Sequence, residues 1–95
     1  RAAELPQRVG CRVRFAGWLI SGKLVSTRTG EPMEFLTFED ETGLVETTFF
    51  PQAYRRFCHL LDPARPFLLS GTVEQDWGAA TLTVDRAEPL ANAPR

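Results

Sequence analysis

The stretch MEFLTFEDETGLVETTFFP, residues 33–51, contains two short alternating runs joined by a turn, and the other predicted elements are arranged around it. In the first run Met33, Phe35 and Thr37 share one face; in the second, Val45, Thr47 and Phe49 do so. Period-two alternation in runs rich in Phe, Thr and Val is typical of β-strands. Residues 40–43, DETG, supply Asp and Gly for a tight turn. The stretch therefore predicts a β-hairpin.

A helix is predicted directly after this hairpin. Pro51 lacks a backbone N–H, so it ends the second strand and suits the first turn of a helix. Residues 52–61 then carry apolar side chains at helical spacing, namely Ala53, Tyr54, Phe57, Leu60 and Leu61. Asp62-Pro63 is a stop signal for that helix.

Three further strands surround the hairpin and helix. Residues 8–26 predict one long, bent strand, with a bend at Gly17 and a bulge at Ser21-Gly22. Residues 29–32 form a loop into the hairpin. Residues 67–75 and 79–86 predict the fourth and fifth strands, separated by a turn at residues 76–78.

This order of elements predicts an all-β fold, a five-stranded Greek-key barrel of the OB-fold type with one helix between strands three and four. Strand number alone would also permit an SH3-like barrel, but the position of the helix and the long first strand favour the OB-fold. We expect a linker at residues 1–8, the OB-fold domain at 9–87 and an exit linker at 88–95.

Length and composition indicate one domain. The chain has 95 residues, of which 43% are hydrophobic and 24% charged, as is usual for a globular fold. No apolar run approaches the roughly 18 residues that a membrane span needs, and no secretory signal is visible, although the first residue, Arg1, favours a fragment of a longer chain. The two cysteines have no CxxC spacing, so a reduced, cytoplasmic setting is expected.

Charge is distributed unevenly along the chain, although the net charge is only -1. Among residues 1–30, six are basic and Glu4 is the one acid, whereas residues 31–50 contain only acids. This asymmetry predicts a positive patch on the first strand and its loop. The alternative is that the polar faces of the strands simply collect charge. The near-neutral total argues against strong non-specific nucleic-acid binding.

The ligand-binding face of an OB-fold is formed by strands two and three, flanked by the loops between strands one and two and between strands four and five. Aromatic rings on this face stack on bases, and nearby cations follow the phosphate backbone. The predicted nucleic-acid-binding residues are Arg12, Arg14, Lys23, Arg28, Met33, Phe35, Thr37, Thr48 and Trp77.

Three features of this predicted face count against strong binding of nucleic acid. Phe35 can instead contact a neighbouring domain, and Trp77 can lie against the barrel rim. Glu46 falls on the same face and opposes phosphate, so weak binding is expected.

No catalytic residue, metal site or cofactor is expected. His59 lies next to Cys58, and adjacent helical positions point about 100° apart, which is unsuited to joint metal ligation. Cys58 is more simply a small core residue. The acids at 39–41 are typical of solvated turn chemistry, and no phosphate loop or nucleophile with its base is recognisable.

The region GWLISGKLVSTRTGEPMEFLTFEDETGLVETTFFPQAY, residues 17–54, resembles the OB domain near the carboxyl end of the bacterial replicative DNA polymerase III alpha subunit and its error-prone relatives. The resemblance is carried by TGEPM at 29–33, FEDETG at 38–43, FFP at 49–51 and LSGTV at 69–73. It extends over about residues 9–90, nearly the whole domain. The combination of these motifs is more specific than any one of them.

This resemblance implies a non-catalytic module of a DNA-directed DNA polymerase, a nucleotidyltransferase, that handles single-stranded template DNA during replication. The partners it implies are weakly bound single-stranded DNA, other domains of the parent polymerase and replisome subunits, with no membrane. Two alternatives stay open: a protein-interaction module of the same fold, and an OB domain of an aminoacyl-tRNA synthetase or an exonuclease.

Overall fold

The computed structural model describes residues 1–90, apart from the side chain of Asp76. It contains five strands and one α-helix: β1 (Arg12–Ser26), β2 (Pro32–Asp40), β3 (Gly43–Phe49), α1 (Pro51–Phe57), β4 (Pro66–Asp76) and β5 (Ala79–Pro89). Two 3-10 helices occur in addition, at Ala2–Arg8 and at Cys58–Leu60. Among the described residues no helix is long and apolar enough to cross a membrane.

The strands form a closed barrel in the order β1-β2-β3-β5-β4, and β4 pairs with β1 to complete it. All neighbouring pairs are antiparallel except β3 and β5, which run parallel. The helix α1 lies between β3 and β4 in the chain and contacts β2, β3 and β5. The predicted five-stranded OB-fold barrel, with one helix between strands three and four, is confirmed.

The β2–β3 hairpin has the register that its alternation indicates. Phe38 pairs with Val45 and Leu36 with Thr47, and all four of these side chains are buried. Thr47 is polar as well as buried, and its hydroxyl is satisfied by donating a hydrogen bond of 2.7 Å to the Leu36 carbonyl. Phe35, one residue along, keeps 45% of its surface exposed. Directly opposed residues share a face, so the hairpin buries one face and leaves the other open.

The helix α1 begins at Pro51, as predicted, and its residue Ala53 belongs to the barrel core. The predicted helix over 52–61 is divided in the structure, because α1 ends at Phe57 and Cys58–Leu60 follows as a 3-10 helix. Helix ends often tighten in this way. Tyr54 and Phe57 lie partly buried against the core.

Residues 1–8, expected to be a linker, contain the 3-10 helix Ala2–Arg8. Its residues Ala2 and Leu5 are buried in the core cluster, and their spacing of three matches one 3-10 turn. At the other end, β5 continues to Pro89, and residues 91–95 of the expected exit linker lie outside the described residues. The domain limits 9–87 stay a prediction.

A close contact between strands requires glycine at position 71. A Cβ atom built there would lie 2.1 Å from the Thr83 carbonyl oxygen, where no side chain fits. The pairing of β4 with β5 shifts register at this point, between Ser70 and Gly71. The pairing of β1 with β2 shifts between Leu19 and Ser21, next to the predicted bulge. Such irregularities bend strands, which closing a small barrel requires.

Candidate nucleic-acid interface

An open cavity of about 380 Å³ lies on the outer face where β1, β2, β3 and β5 meet, and is here called the groove. Its lining includes Lys23, Phe35, Thr37, Glu46, Thr48 and Thr81. This position corresponds to the ligand-binding face of an OB-fold.

Two rows of paired residues build the groove across the sheet. In the first row Lys23 pairs with Phe35, which pairs with Thr48. In the second, Ser21 pairs with Thr37, which pairs with Glu46, and Glu46 pairs with Thr81 across the parallel strands. Because directly opposed side chains lie on the same face, each row presents its members together.

The first row combines a ring with a cation. Phe35 exposes almost half of its surface, although an apolar ring normally avoids water. Lys23 is exposed and has no ion-pair partner among residues 1–90. An exposed ring beside a free ammonium group is suited to stacking on a base and contacting its phosphate.

The second row is polar and holds a carboxylate. The Thr37 hydroxyl donates a hydrogen bond to Glu46, which fixes that carboxylate within the groove. Thr81 and Thr48 add further hydroxyl groups, each of which can donate and accept. The groove therefore offers hydrogen bonds from several hydroxyl groups, with one negative and one positive charge.

Four of the predicted binding residues lie together in this groove, namely Lys23, Phe35, Thr37 and Thr48. Met33 occupies the same face of β2 by alternation, but it is buried, with 8% of its surface exposed. Its side chain has little surface to offer a ligand.

Arg12 and Arg14 lie away from the groove. They line a second cavity, with Arg1 and Arg8, next to the Ala2–Arg8 helix. Arg12 also donates two hydrogen bonds to Asp85, from Nε at 3.2 Å and from a terminal nitrogen at 2.7 Å. The structure thus separates these two arginines from Phe35, with which they were predicted to act.

Arg28 and Trp77 are on the two loops that flank the groove in an OB-fold. Arg28 is exposed in the β1–β2 loop, where Thr27 accepts a hydrogen bond of 3.2 Å from the Glu31 backbone. Trp77 lies in the β4–β5 turn and is 99% exposed. Neither residue lines the groove itself.

The β4–β5 turn holds Trp77 in an unusual backbone conformation. Its φ is 52° and that of Gly78 is 82°, the two positive values that a type I′ turn requires. Gly, Asn or Asp usually occupy the first of these positions, and a bulky side chain there is strained. The turn thus holds the Trp77 ring exposed in one of the groove-flanking loops of the barrel.

The acidic β2–β3 turn is satisfied within the chain. The Asp40 carboxylate accepts hydrogen bonds from the Ala2 backbone at 3.0 Å, from the Thr42 backbone and hydroxyl at 2.7 and 2.6 Å, and from the Gly43 backbone at 3.2 Å. Partial burial on its own would raise the pKa of Asp40, but these hydrogen bonds outweigh it and lower the pKa.

Cys58 is partly buried at the end of α1, next to His59. Burial of Cys58, reinforced by the charge of Glu34 and a hydrogen bond to it, raises the pKa of the thiol to about 12. A thiol with so high a pKa is a poor nucleophile. Across residues 1–90, no three His, Cys, Asp or Glu residues stand together as a set of metal ligands.

Sequence reasoning missed Thr81 as a groove residue and Arg1 and Arg8 as neighbours of Arg12 and Arg14. A signal for Thr81 was present, because Thr81 and Thr83 alternate with the buried Leu82 and Val84. Thr81 can be placed in the groove only once β5 is known to pair with β3.

Comparison with protein families identifies the same fold. The model of the tRNA anti-codon family, described as an OB-fold nucleic acid binding domain, matches residues 13–90.

Comparison with characterised sequences finds bacterial DNA polymerases. The error-prone DNA polymerase of Symbiobacterium thermophilum is 38% identical over 92 residues, which cover 94% of this chain. The DNA polymerase III subunit alpha of Bacillus subtilis is 34% identical over 85 residues, or 88% of this chain. In both cases the chain spans only 8% of the length of the curated relative.

Solved structures share the fold at lower sequence identity. Asparaginyl-tRNA synthetase from Pyrococcus horikoshii, complexed with asparaginyl-adenylate, superimposes with a TM-score of 0.69 at 23% identity, over 93% of this chain and 21% of that chain. A domain of replication protein A from Methanococcus maripaludis gives 0.60 at 18% identity, over 87% of this chain and 85% of that one.

Proposed function

Because this chain belongs to the family of OB-fold nucleic acid binding domains, we propose that its groove binds single-stranded DNA as a non-catalytic segment of a bacterial DNA polymerase. The observation that carries the proposal is the half-exposed Phe35 ring, paired with Lys23 on one side and Thr48 on the other. The substrate we propose is template DNA during replication.

The relatives support placing this segment in a polymerase. Their similarity extends over almost the whole chain, at 33–38% identity for the error-prone DNA polymerases. The proposed parent chain is a DNA-directed DNA polymerase in the cytoplasm, and nucleotidyl transfer belongs to its other domains. Those domains and replisome subunits are the proposed protein partners.

The proposed binding mode divides the groove by row. Phe35 stacks on a base, a contact that contributes roughly 1–3 kcal/mol. Lys23, opposite Phe35, contacts the phosphate beside that base. The hydroxyl groups of Thr37, Thr48 and Thr81 are available to base edges, since hydroxyls both donate and accept.

Glu46 limits both the mode and the strength of this binding. Its charge repels phosphate, so the sugar-phosphate backbone is held at the Lys23 side and the bases face the Glu46 side. Because the groove carries one cation against one carboxylate, affinity for DNA is weak and falls with salt.

Titration of a fluorescent oligo-dT of roughly 20 nucleotides tests the proposal, at low and at physiological salt. We expect micromolar binding at low salt that fades as salt rises. Phe35→Ala should weaken it by about tenfold, which corresponds to about 1.4 kcal/mol.

Leu60→Ala is the matched control, since Leu60 is 43% exposed, against 45% for Phe35, and does not line the groove. It should bind like the unsubstituted chain. Absence of binding even at low salt would overturn the proposal and favour a protein-interaction module instead.

A further inference from the structure

The cavity beside the Ala2–Arg8 helix has a different character from the groove and is here called the arginine cavity. It measures about 330 Å³ and is lined by Arg1, Arg8, Arg12 and Arg14. Glu4 is the one carboxylate among the described residues that line it. No lining residue is shared with the groove.

Two of the four guanidinium groups already have partners. Arg12 is bound to Asp85, and Arg1 pairs with Glu41 at 3.9 Å. Arg8 and Arg14 are exposed and form no ion pair within residues 1–90. The arginine cavity therefore carries positive charge that the chain itself leaves unneutralised.

From this arrangement we propose that the arginine cavity binds backbone phosphates of the same single strand whose bases occupy the groove. This inference rests on the proposed function and adds a second contact surface to it. Guanidinium groups suit the purpose, because their planar fork donates two hydrogen bonds to phosphate oxygens.

The strand β1 connects the two surfaces. Arg14 and Lys23 are both on β1 and are nine residues apart in the sequence. At ~3.3 Å per residue the separation is at most ~30 Å, and the irregularity near Leu19 and Ser21 shortens it by bending the strand. A short oligonucleotide centred on the groove ends before Arg14, whereas a longer one following β1 reaches it.

The two surfaces then divide the work of binding. In the groove the charge of Lys23 is opposed by Glu46, so stacking on Phe35 supplies most of the affinity. In the arginine cavity, Arg8 and Arg14 supply phosphate contacts. Each such contact makes the negative slope of log affinity against log salt steeper by about 0.7. Most of the salt dependence of binding therefore belongs to the arginine cavity, and the single contact of Lys23 supplies the rest.

The experiment compares oligo-dT of about 5 and about 20 nucleotides, a range taken from OB-fold site sizes of roughly 4–16 nucleotides. Binding of each to the 95-residue chain is measured by fluorescence anisotropy over a range of salt. The double variant Arg8→Gln/Arg14→Gln should bind the longer strand about tenfold more weakly at low salt. Its slope of log affinity against log salt should be less steep by about 1.4. Its affinity for the shorter strand should be unchanged.

A charge-matched double variant, Arg56→Gln/Arg65→Gln, serves as the control because neither residue lines the groove or the arginine cavity. It should leave both affinities and both slopes as they are. If the two double variants weakened binding equally, for the short and for the long oligonucleotide, only net charge would matter. That result would overturn the inference. So would unaltered binding of the longer strand to the Arg8/Arg14 variant.

The proposed function fails in a distinguishable way. If the unsubstituted chain binds neither oligonucleotide at low salt, then the groove proposal is wrong, and the arginine cavity proposal is overturned with it. Suppose instead that Phe35→Ala weakens binding of the short strand, but the Arg8/Arg14 double variant binds the long strand with unchanged affinity. Then only the inference about the arginine cavity is wrong.

Discussion

Two carboxylates of the same hairpin have opposite surroundings. Asp40, at the turn, accepts four hydrogen bonds from within the chain, three of them from backbone N–H groups. Glu46, in the groove, accepts one hydrogen bond from Thr37 and is exposed. The hydrogen bonds within the chain occupy the carboxylate of Asp40, whereas the carboxylate of Glu46 can still accept further hydrogen bonds.

The number of hydrogen-bond donors within the barrel distinguishes a structural acid from one that is left open to solvent. Asp40 ties the β2–β3 turn to the Ala2–Arg8 helix, so its hydrogen bonds contribute to stability. Among the described residues, Glu46 accepts no hydrogen bond from outside the hairpin, and it lines the groove. Acidic residues close in sequence therefore take different roles, and the number of internal donors separates them.

The largest effect is expected from the rings. Phe35→Ala combined with Trp77→Ala removes the exposed aromatic surface of the groove and its flanking loop, at roughly 1–3 kcal/mol for each ring that stacks. Affinity for oligo-dT should fall by about 100-fold or more, corresponding to about 3 kcal/mol. The measurement is fluorescence anisotropy of labelled DNA, with thermal unfolding as the check that the barrel remains intact.

If Trp77 takes part, DNA should also quench its emission. Trp18→Phe leaves Trp77 as the one tryptophan, so the signal is assigned without ambiguity. If the double variant bound DNA with the same affinity as Phe35→Ala alone, Trp77 would not be part of the interface.

The next effect concerns stability. Asp40→Asn replaces a charged acceptor that is bound by several donors, and we expect the free energy of unfolding to fall by about 2 kcal/mol at neutral pH. Urea unfolding measures this change. DNA affinity of the folded variant should not change, because Asp40 does not line the groove.

The pH dependence of this loss follows from the lowered pKa of Asp40. A carboxyl group with a folded-state pKa below its unfolded value of about 4 stabilises the fold above that value, and the stabilisation disappears as pH falls through the folded pKa. The difference between the two proteins should thus be largest at neutral pH and shrink in acid. A difference that stays constant with pH would contradict the role given to the charge.

The smallest effect is expected from the groove carboxylate. Glu46→Gln keeps the size and an acceptor for Thr37 but removes the charge, so oligo-dT should bind about threefold more tightly at low salt. The free energy of unfolding should change by less than about 0.5 kcal/mol, as for other exposed positions. Weaker binding by this variant would mean that Glu46 accepts a hydrogen bond from the ligand.

The fold could be predicted because its signals are local. Alternation over residues 33–51 gave the buried face of the hairpin correctly, and Pro51 and the DETG turn marked its limits. The same alternation placed Phe35 and Thr37 on the open face, where they line the groove. Alternation could not show that Met33, on the same face, is buried. It indicates the face on which a side chain lies but not whether other parts of the chain cover it.

The candidate site was harder to predict because it depends on tertiary geometry. Arg12 and Arg14 share a strand with Lys23, but they lie at its other end, beside the Ala2–Arg8 helix, and line a second cavity there. The Ala2–Arg8 helix gives a weak sequence signal, as its buried residues are only Ala2 and Leu5 and it contains Pro6. Contacts between distant segments decide both features.

We propose that DNA contacts the open face of the hairpin and not its acidic turn. Titration of the ¹⁵N-labelled chain with oligo-dT, followed by two-dimensional amide NMR spectra, tests it most directly. We expect the largest shift changes at Lys23, Phe35 and Thr48, and no change at the amides of Thr42 and Gly43. Shifts concentrated at the turn, or no shifts at low salt, would contradict it.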